Sequence, residues 1–267
     1  MIQTPFNYTG SKFKLLEQIL PEFDYSKKLF IDLFTGGGSV YTNVLNKYNK
    51  VLANDIISDL VDIHKGILES DDIIELTKSL NPGKNNKKGF LELRESYNSE
   101  PTPDKLWALM LSSTNNMMRF NKKFKYNQTY GERGWNNNTD IKVDEYKNHI
   151  RQYKDKIYFS SKSFNDIEIN KDKYMIYCDP PYSNTSAGYN CYWDKNDDKK
   201  LYNYLLNVDK IGSSFLLSGT LSHNGVTCYL LEQLISDGFN YKELDYNYNK
   251  VSRSGNKETT EIIIKNY

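Results

Sequence analysis

Lys28-Leu29-Phe30-Ile31-Asp32-Leu33-Phe34-Thr35-Gly36-Gly37-Gly38-Ser39 is the stretch on which the fold turns. Lys28 to Phe34 is a short apolar run of strand length, three glycines end it, and Val40, Val44 and Leu45 follow at helical spacing. Strand, glycine loop and helix are thus written in that order. A residue without Cβ permits the sharp turn into the helix and lets a ligand approach the main chain closely. In doubly wound sheets such a loop lies at the carboxyl end of a strand, beside the crevice where nucleotides bind.

Outward from this loop, Lys50 to Ala53 is a second short strand closing on Asn54 and Asp55. Further apolar runs occur at Lys156 to Ser160, Tyr174 to Cys178, Ser214 to Leu217, Tyr241 to Tyr246 and Glu261 to Lys265. Helical spacing lies between most of them, notably at Lys199 to Val208 and Cys228 to Ser236. The alternation predicts an α/β fold with a mostly parallel sheet covered on both faces. It stops between roughly Ile56 and Arg151. There Ile73 to Leu80, Gly89 to Tyr97 and Lys105 to Met118 carry apolar residues at helical spacing, punctuated by Asn81 to Lys88 and Ser99 to Pro103. From Phe120 to Trp135, aromatic and basic residues interleave in the pattern of a β-hairpin. Residues 58–150 therefore read as a mainly helical insertion that recognises a target, set between a cofactor-binding part, 1–57, and a second catalytic part, 151–267. A helical cap that only stabilises the fold is the alternative.

A length of 267 residues suits one large domain or a core domain with an insertion. Lys+Arg 35 against Asp+Glu 34 leaves a net charge of +1, so the overall balance is silent on nucleic acid. The local balance is not: Arg119, Lys122, Lys123, Lys125 and Arg133 stand against Glu132 alone between Met110 and Trp135. The three cysteines, Cys178, Cys191 and Cys228, form no Cys-x-x-Cys pair, which argues against a disulfide framework and a cysteine zinc site. His64, His149 and His223 lack ligand spacing, so no metal is expected. The first residues show no basic-then-apolar signal layout, and no apolar run approaches a membrane span. A soluble, cytoplasmic protein is the expectation.

Asp179-Pro180-Pro181-Tyr182 closes the Tyr174 to Cys178 run and carries the chemistry. An adenine amino nitrogen is a poor nucleophile, because its lone pair is delocalised into the ring. A carboxylate and a neighbouring backbone carbonyl that each accept a hydrogen bond from that amine draw the nitrogen toward tetrahedral geometry and localise the pair. Asp179 and Pro180 have those acceptors, two prolines stiffen them, and Tyr182 offers a flat face on which an extruded base can stack. An ordinary strand-ending turn is the competing reading. Asp32 through Ser39, including Phe34, Gly36 and Gly38, and Asp55 about 20 residues beyond the loop suit a ribose-bearing ligand. Consecutive glycines fit a pyrophosphate fingerprint poorly, and no Gly-Lys-Ser/Thr follows. A cofactor with ribose and adenine but no pyrophosphate fits better: S-adenosylmethionine, which also brings a methyl group. Near the start, Asn7-Tyr8-Thr9-Gly10-Ser11-Lys12 leads into an amphipathic helix. Lys12 there is either a partner for the cofactor carboxylate or a solvated first-turn lysine.

With these pieces in order, the chain resembles the Dam-type, D12 class DNA adenine methyltransferases and looks most similar to their phage-encoded members. The match runs through Tyr8 to Lys12, Ile31 to Val40, Leu52 to Ile56, Asn116 to Asn121, Phe159 to Asp166 and Tyr177 to Tyr182. The resemblance implies a Rossmann-like methyltransferase sheet with S-adenosylmethionine as methyl donor and double-stranded DNA as partner, worked by a monomer or by a dimer on DNA. It implies that Tyr8 and Lys12 contact the cofactor, Asp55 holds its ribose, Phe34 lines the pocket, Ser163 and Phe164 lie near its adenine, and Asp179 sits between methyl donor and amine. It also implies that Arg119 reads a guanine, as a guanidinium can through two parallel hydrogen bonds to O6 and N7; a phosphate contact or plain surface charge is the alternative. Asn115, Asn116, Met118 and Asn121 would face base edges beside it, while Lys122, Lys123, Lys125 and Arg133 hold phosphates. Thr129-Tyr130-Gly131 stands where such enzymes commonly carry Pro-Phe-Gly, with Tyr130 taken at the proline position. That stretch lies against bases in the family, so the expected site is GATC or a shortened or relaxed version of it. Rival readings are an amino-group methyltransferase acting on RNA or a protein glutamine, a catalytically silent DNA-binding module, and a nicotinamide oxidoreductase.

Overall fold

The computed structural model describes residues 1–6, 8–170, 173–181, 193–223, 225–245 and 259–267. The strands are β1 (Leu29–Asp32), β2 (Lys50–Asn54), β3 (Ile157–Ser160), β4 (Tyr174–Cys178), β5 (Ser214–His223), β6 (Val226–Thr227), β7 (Asn240–Leu244) and β8 (Thr259–Lys265). They form one sheet in the order β3-β2-β1-β4-β5-β8-β7, with β6 paired to β5. The first five strands pair in parallel, as their separation by crossover segments requires. β8 runs antiparallel to both β5 and β7.

The helices are α1 (Leu16–Ile19), α2 (Ser39–Val44), α3 (Ser58–Glu69), α4 (Asp72–Leu80), α5 (Lys87–Ser99), α6 (Pro103–Ser112), α7 (Asn137–Arg151), α8 (Lys195–Lys210) and α9 (Tyr229–Ser236). Strand residues alternate between two buried clusters, which is how both faces of the sheet become covered. Phe30, Met175, Tyr177, Leu216 and Ile263 join one cluster with residues of α1 to α7. Ile31, Ile176, Cys178, Phe215, Leu217 and Ile262 join the other with Leu201, Leu205 and Val208 of α8 and Leu230, Leu231 and Leu234 of α9. Helices α3 to α7 all lie between β2 and β3 in sequence, and they share the first cluster with the sheet.

Two local expectations change. The helix expected from Lys105 to Met118 ends at Ser112. Asn115 and Asn116 take φ of 57° and 53°, a left-handed conformation that asparagine tolerates and that a right-handed helix cannot continue through. The hairpin expected after Phe120 is reduced to two isolated antiparallel bridges, Ser113 to Tyr130 and Phe120 to Tyr126. The second bridge is flanked by Asn121 N to Lys125 O at 2.9 Å and Asn127 N to Arg119 O at 3.0 Å, and on the outer edge the Asn98 side chain of α5 accepts from Tyr126 N at 2.7 Å and donates to Tyr126 O at 3.0 Å.

The order of the strands reverses between β1 and β4. From β1 the chain builds outward to β2 and β3, then crosses back to β4 on the other side. Crevices for ligands open at such a reversal, outside the carboxyl ends of the strands.

Candidate active site

A cleft of about 660 Å³ opens at that reversal. Tyr8, Lys12, Asp32, Phe34, Gly36, Ser39, Asp55, Ser163, Phe164, Asp179, Pro180 and Pro181 all line it. β1 ends in Asp32, β2 runs into Asp55, and β4 runs into Asp179, so three parallel strands deliver three carboxylates to one place. Tyr182, Asn7 and Cys191, together with Tyr246 at the end of the expected strand from Tyr241, lie outside the described residues.

Lys12 does not stand free as a first-turn lysine. Its Nζ donates to Asp179 Oδ1 at 2.7 Å and Oδ2 at 2.8 Å, with the two side chains only 7% and 18% exposed. Ser218 Oγ on β5 donates to Asp179 Oδ1 at 3.2 Å, and the Tyr177 hydroxyl lies 2.8 Å from that Oγ. An ammonium across both oxygens fixes the plane of the carboxylate, and Ser218 occupies the second acceptor site of Oδ1.

Asp32 accepts Tyr41 N at Oδ2, 3.2 Å away, while its buried Oδ1 has no hydrogen-bond partner among the described residues. Burial and the nearby Asp179 hold its carboxyl well above the usual carboxylate range, and the Tyr41 amide works the other way. Asp55 is better satisfied: Oδ2 accepts Gly36 N at 2.8 Å and Oδ1 accepts Ile57 N at 3.0 Å. Burial still raises it, against those two amides.

The glycine loop is gripped from both sides. The Gly36 N–H goes to Asp55, and the Gly36 carbonyl accepts from His64 Nε2 of α3 at 3.0 Å. That bond places the proton on Nε2, so Nδ1 accepts from the Tyr146 hydroxyl of α7 at 2.6 Å, and Tyr146 in turn meets the Tyr41 hydroxyl. Burial drives the His64 pKa down from 6.5 to about 4. Gly36 has φ of 49°, and a Cβ there would lie 2.8 Å from the Tyr8 ring. Gly38, counted among the expected cofactor contacts, does not line the cleft; with φ of 78° it turns the chain into α2, and a Cβ would strike His64 and Tyr41 at 2.7 Å.

Phe34, Phe164 and Trp193 form an aromatic corner, each pair of ring centroids 5.6 Å apart. Trp193 was not legible as a site residue. It directly precedes the capping residue of α8, and its Nε1 donates to buried Asp198 at 2.7 Å. Ser218, Tyr97, Phe120 and Phe124 also belong to the site's surroundings without having been singled out.

Of the expected DNA-facing residues, only Met118 reaches the cleft wall, where Phe120 and Phe124 accompany it. Arg119 is exposed, oriented by a 3.0 Å bond from Nε to Asn127 Oδ1. Asn115 is exposed and Asn116 buried. Asn121 closes the turn, its side chain accepting Lys123 N at 2.8 Å and Lys125 N at 3.1 Å, which presents Lys122, Lys123 and Lys125 outward. The Lys125 ammonium donates to Asn98 O. Arg133 is exposed. Tyr130 requires a correction: counted back from Gly131, Thr129 takes the place of the family proline. The Tyr130 hydroxyl is committed to the loop before α5, donating to Gly83 O at 2.7 Å and accepting from Asn86 N at 3.0 Å, so it is a brace and not a side chain turned to bases.

Fold and cleft define a doubly wound α/β protein with a nucleotide-sized, acid-lined pocket at its switch point. The family model of D12 class N6 adenine-specific DNA methyltransferases matches residues 8–250, and the chain belongs to that family. It is 30% identical over 288 residues to the modification methylase StsI of Streptococcus sanguinis, a match covering 100% of this chain and 43% of that protein. It is 26% identical over 231 residues to the DNA N-6-adenine-methyltransferase of Escherichia phage P1, covering 82% of this chain and 30% of that one. With the DNA adenine methylase of Salmonella typhi it shares 26% identity over 187 residues, 67% of this chain and 65% of the relative. The chain thus spans less than half the length of StsI. Among the described residues, no group of three or more His, Cys, Asp or Glu side chains is arranged to hold a metal, and no helix is long and apolar enough to cross a membrane.

Proposed function

We propose that the chain transfers a methyl group from S-adenosylmethionine to the exocyclic amine of an adenine flipped out of a short duplex DNA site, GATC or a shortened or relaxed form of it. Residues 1–57 and 151–267 make the catalytic part, and residues 58–150 recognise the target. The observation that carries this reading is Asp179 on the wall of the switch-point cleft, held by Lys12 and Ser218 next to buried Pro180.

The cleft fits the cofactor on several counts. The unpartnered, buried Oδ1 of Asp32 suits a hydrogen-bonding or cationic group of the ligand. Phe34, Phe164 and Trp193 offer an aromatic corner for an adenine ring, and Asp55, oriented by two backbone amides, keeps lone pairs for ribose hydroxyls. When bound, S-adenosylmethionine supplies an electrophilic methyl group.

The rest belongs to the protein. Asp179 and the Pro180 carbonyl accept from the two N–H bonds of the target amine, raise its nucleophilicity and stabilise the positive charge that grows on it. Lys12 and Ser218 keep the carboxylate in place, and the proton released afterwards passes to water. Arg119 reads a base edge, and the lysines of the 121–125 turn hold phosphates. Extruding the base costs a few kcal/mol, offset in part by stacking on an aromatic face. Expression in a host lacking adenine methylation, followed by mapping of every modified base, tests activity and site together. Asp179→Ala should abolish the modification while cofactor binding by calorimetry persists. Label transfer to RNA or protein in place of DNA, or turnover retained without Asp179, overturns the proposal.

A further inference from the structure

Residues 81–88, Asn-Pro-Gly-Lys-Asn-Asn-Lys-Lys, carry three lysines and no acid, and nothing in the reaction accounts for them. Lys84, Lys87 and Lys88 are all exposed. Two of them stand at the start of α5, whose first turn contains no acidic residue. Cations at the positive end of a helix dipole work against the helix. The one ion pair there among the described residues, Lys88 to Glu92 at 3.7 Å, lies on side chains 88% and 66% exposed, so it does little to relieve the conflict. A local arrangement that opposes folding marks a place selected for something else.

The loop is also locked to the recognition segment. Besides the two bonds made by the Tyr130 hydroxyl, Asn81 Oδ1 accepts both Gly83 N at 3.1 Å and Trp135 N at 2.9 Å. Gly134 lies so close that a Cβ there would sit 2.6 Å from Gly83 Cα. Arg133, exposed, immediately precedes that contact, so its charge continues the lysine patch. At the other end of α5, Tyr97 lines the cleft. The rise from Lys87 to Tyr97 is about 15 Å at 1.5 Å per residue, or roughly four to five base steps of duplex at 3.4 Å each.

We propose that this loop is a duplex-binding arm: Lys84, Lys87 and Lys88 hold backbone phosphates of DNA on one flank of the methylation site, four to five steps from the extruded base. The inference rests on the reading that the chain acts on duplex DNA, and it makes the footprint asymmetric. Tyr130, whose hydroxyl ties Gly83 and Asn86 together, sets the arm's position relative to the reading residues.

The test uses the full chain and fluorescence anisotropy on duplexes of about 30 base pairs carrying the mapped site, compared with duplexes cut back to about three pairs on either flank, across a salt series. The parent serves as the control for the underlying reading, because it must methylate these duplexes. The triple variant K84Q/K87Q/K88Q should lower the slope of log affinity against log salt by about 2 to 3, so that a fourfold rise in salt weakens the parent about 40-fold more than the variant. The difference should vanish on the duplex truncated at one flank and persist on the other, with kcat at saturating DNA unchanged. A parent that methylates DNA while the variant keeps its full salt slope on the long duplex overturns the arm alone. A variant defect that survives both truncations overturns the flanking placement, and a parent that leaves DNA unmodified overturns the underlying reading.

Discussion

Lowering the pH from 7 to 5 should cost the fold about 2 kcal/mol through His64 alone. The ring is fully buried, with Nε2 donating to the Gly36 carbonyl and Nδ1 accepting from Tyr146, and burial lowers its pKa from 6.5 to about 4. An unfolded chain takes up the proton below 6.5, whereas the folded one resists until about 4. The contribution is therefore fully present above 6.5 and drains away as the pH falls toward 4. Between pH 7 and 5 the difference in proton uptake amounts to nearly one and a half tenfold steps, hence about 2 kcal/mol. Asp55, bonded to the far side of Gly36, and Asp32, bonded to Tyr41 N, are raised by burial and act in the opposite direction as the pH falls. The parent curve alone thus mixes signs. His64→Gln separates them, because a glutamine amide can still donate to Gly36 but does not titrate. Urea unfolding of both proteins at pH 7, 6 and 5 should show the parent losing about 2 kcal/mol more than the variant. Parallel stability curves for the two proteins would refute the reasoning.

Gly36→Ala should weaken cofactor binding at least tenfold and lower the melting temperature, because φ of 49° and a Cβ 2.8 Å from the Tyr8 ring strain the loop by about 1–3 kcal/mol; calorimetry at normal affinity would show that Tyr8 moves aside without consequence. Arg119→Ala should reduce discrimination at one base position by about 1–3 kcal/mol while sparing overall affinity, measured as kcat/KM on duplexes substituted at each position in turn. Equal losses on every sequence would make Arg119 a phosphate contact.

The strands that carry the site were legible because each is a short apolar run that gives way to a polar residue facing the cleft. β4 spans the expected Tyr174–Cys178, and β1 and β2 end within two residues of expectation. Asp55 and Asp179 could be named for the same reason, since in a parallel sheet the residue after an apolar run emerges at the carboxyl edge, whereas Asp32 was named with the glycine loop that follows it. Contacts between distant parts of the chain were not legible. Lys12 and Asp179 are 167 residues apart, and nothing in the neighbourhood of either residue announces the pair. Ser218 was hidden because β5 runs on through the polar residues Ser218, Thr220 and Ser222 by pairing with β8, beyond the apolar run that marked it. Tyr130 was expected against bases because the corresponding Pro-Phe-Gly stretch lies against bases in the family the chain resembles. Its hydroxyl finds backbone partners in a loop more than 40 residues upstream, which only the tertiary fold supplies.

These distant contacts bear on how recognition and catalysis are joined. His64 and Tyr146 belong to α3 and α7, which lie between β2 and β3, yet they determine the setting of the Gly36 carbonyl beside the cleft. Phe90, Leu93, Tyr97 and Trp107 from the same stretch share one buried cluster with Phe30, Val51 and Met175 of the sheet. A hinge between a reading module and a catalytic module would have to break that cluster, at a cost of several kcal/mol of apolar burial. Under the proposed function, discrimination is therefore better placed in an exposed side chain such as Arg119, oriented by Asn127, than in a closing motion between two bodies. If the proposed function holds, a wrong site should fail because Arg119 and its neighbours find no partners while the cleft keeps its shape, so that specificity would reside in the stability of the bound duplex and the extruded base.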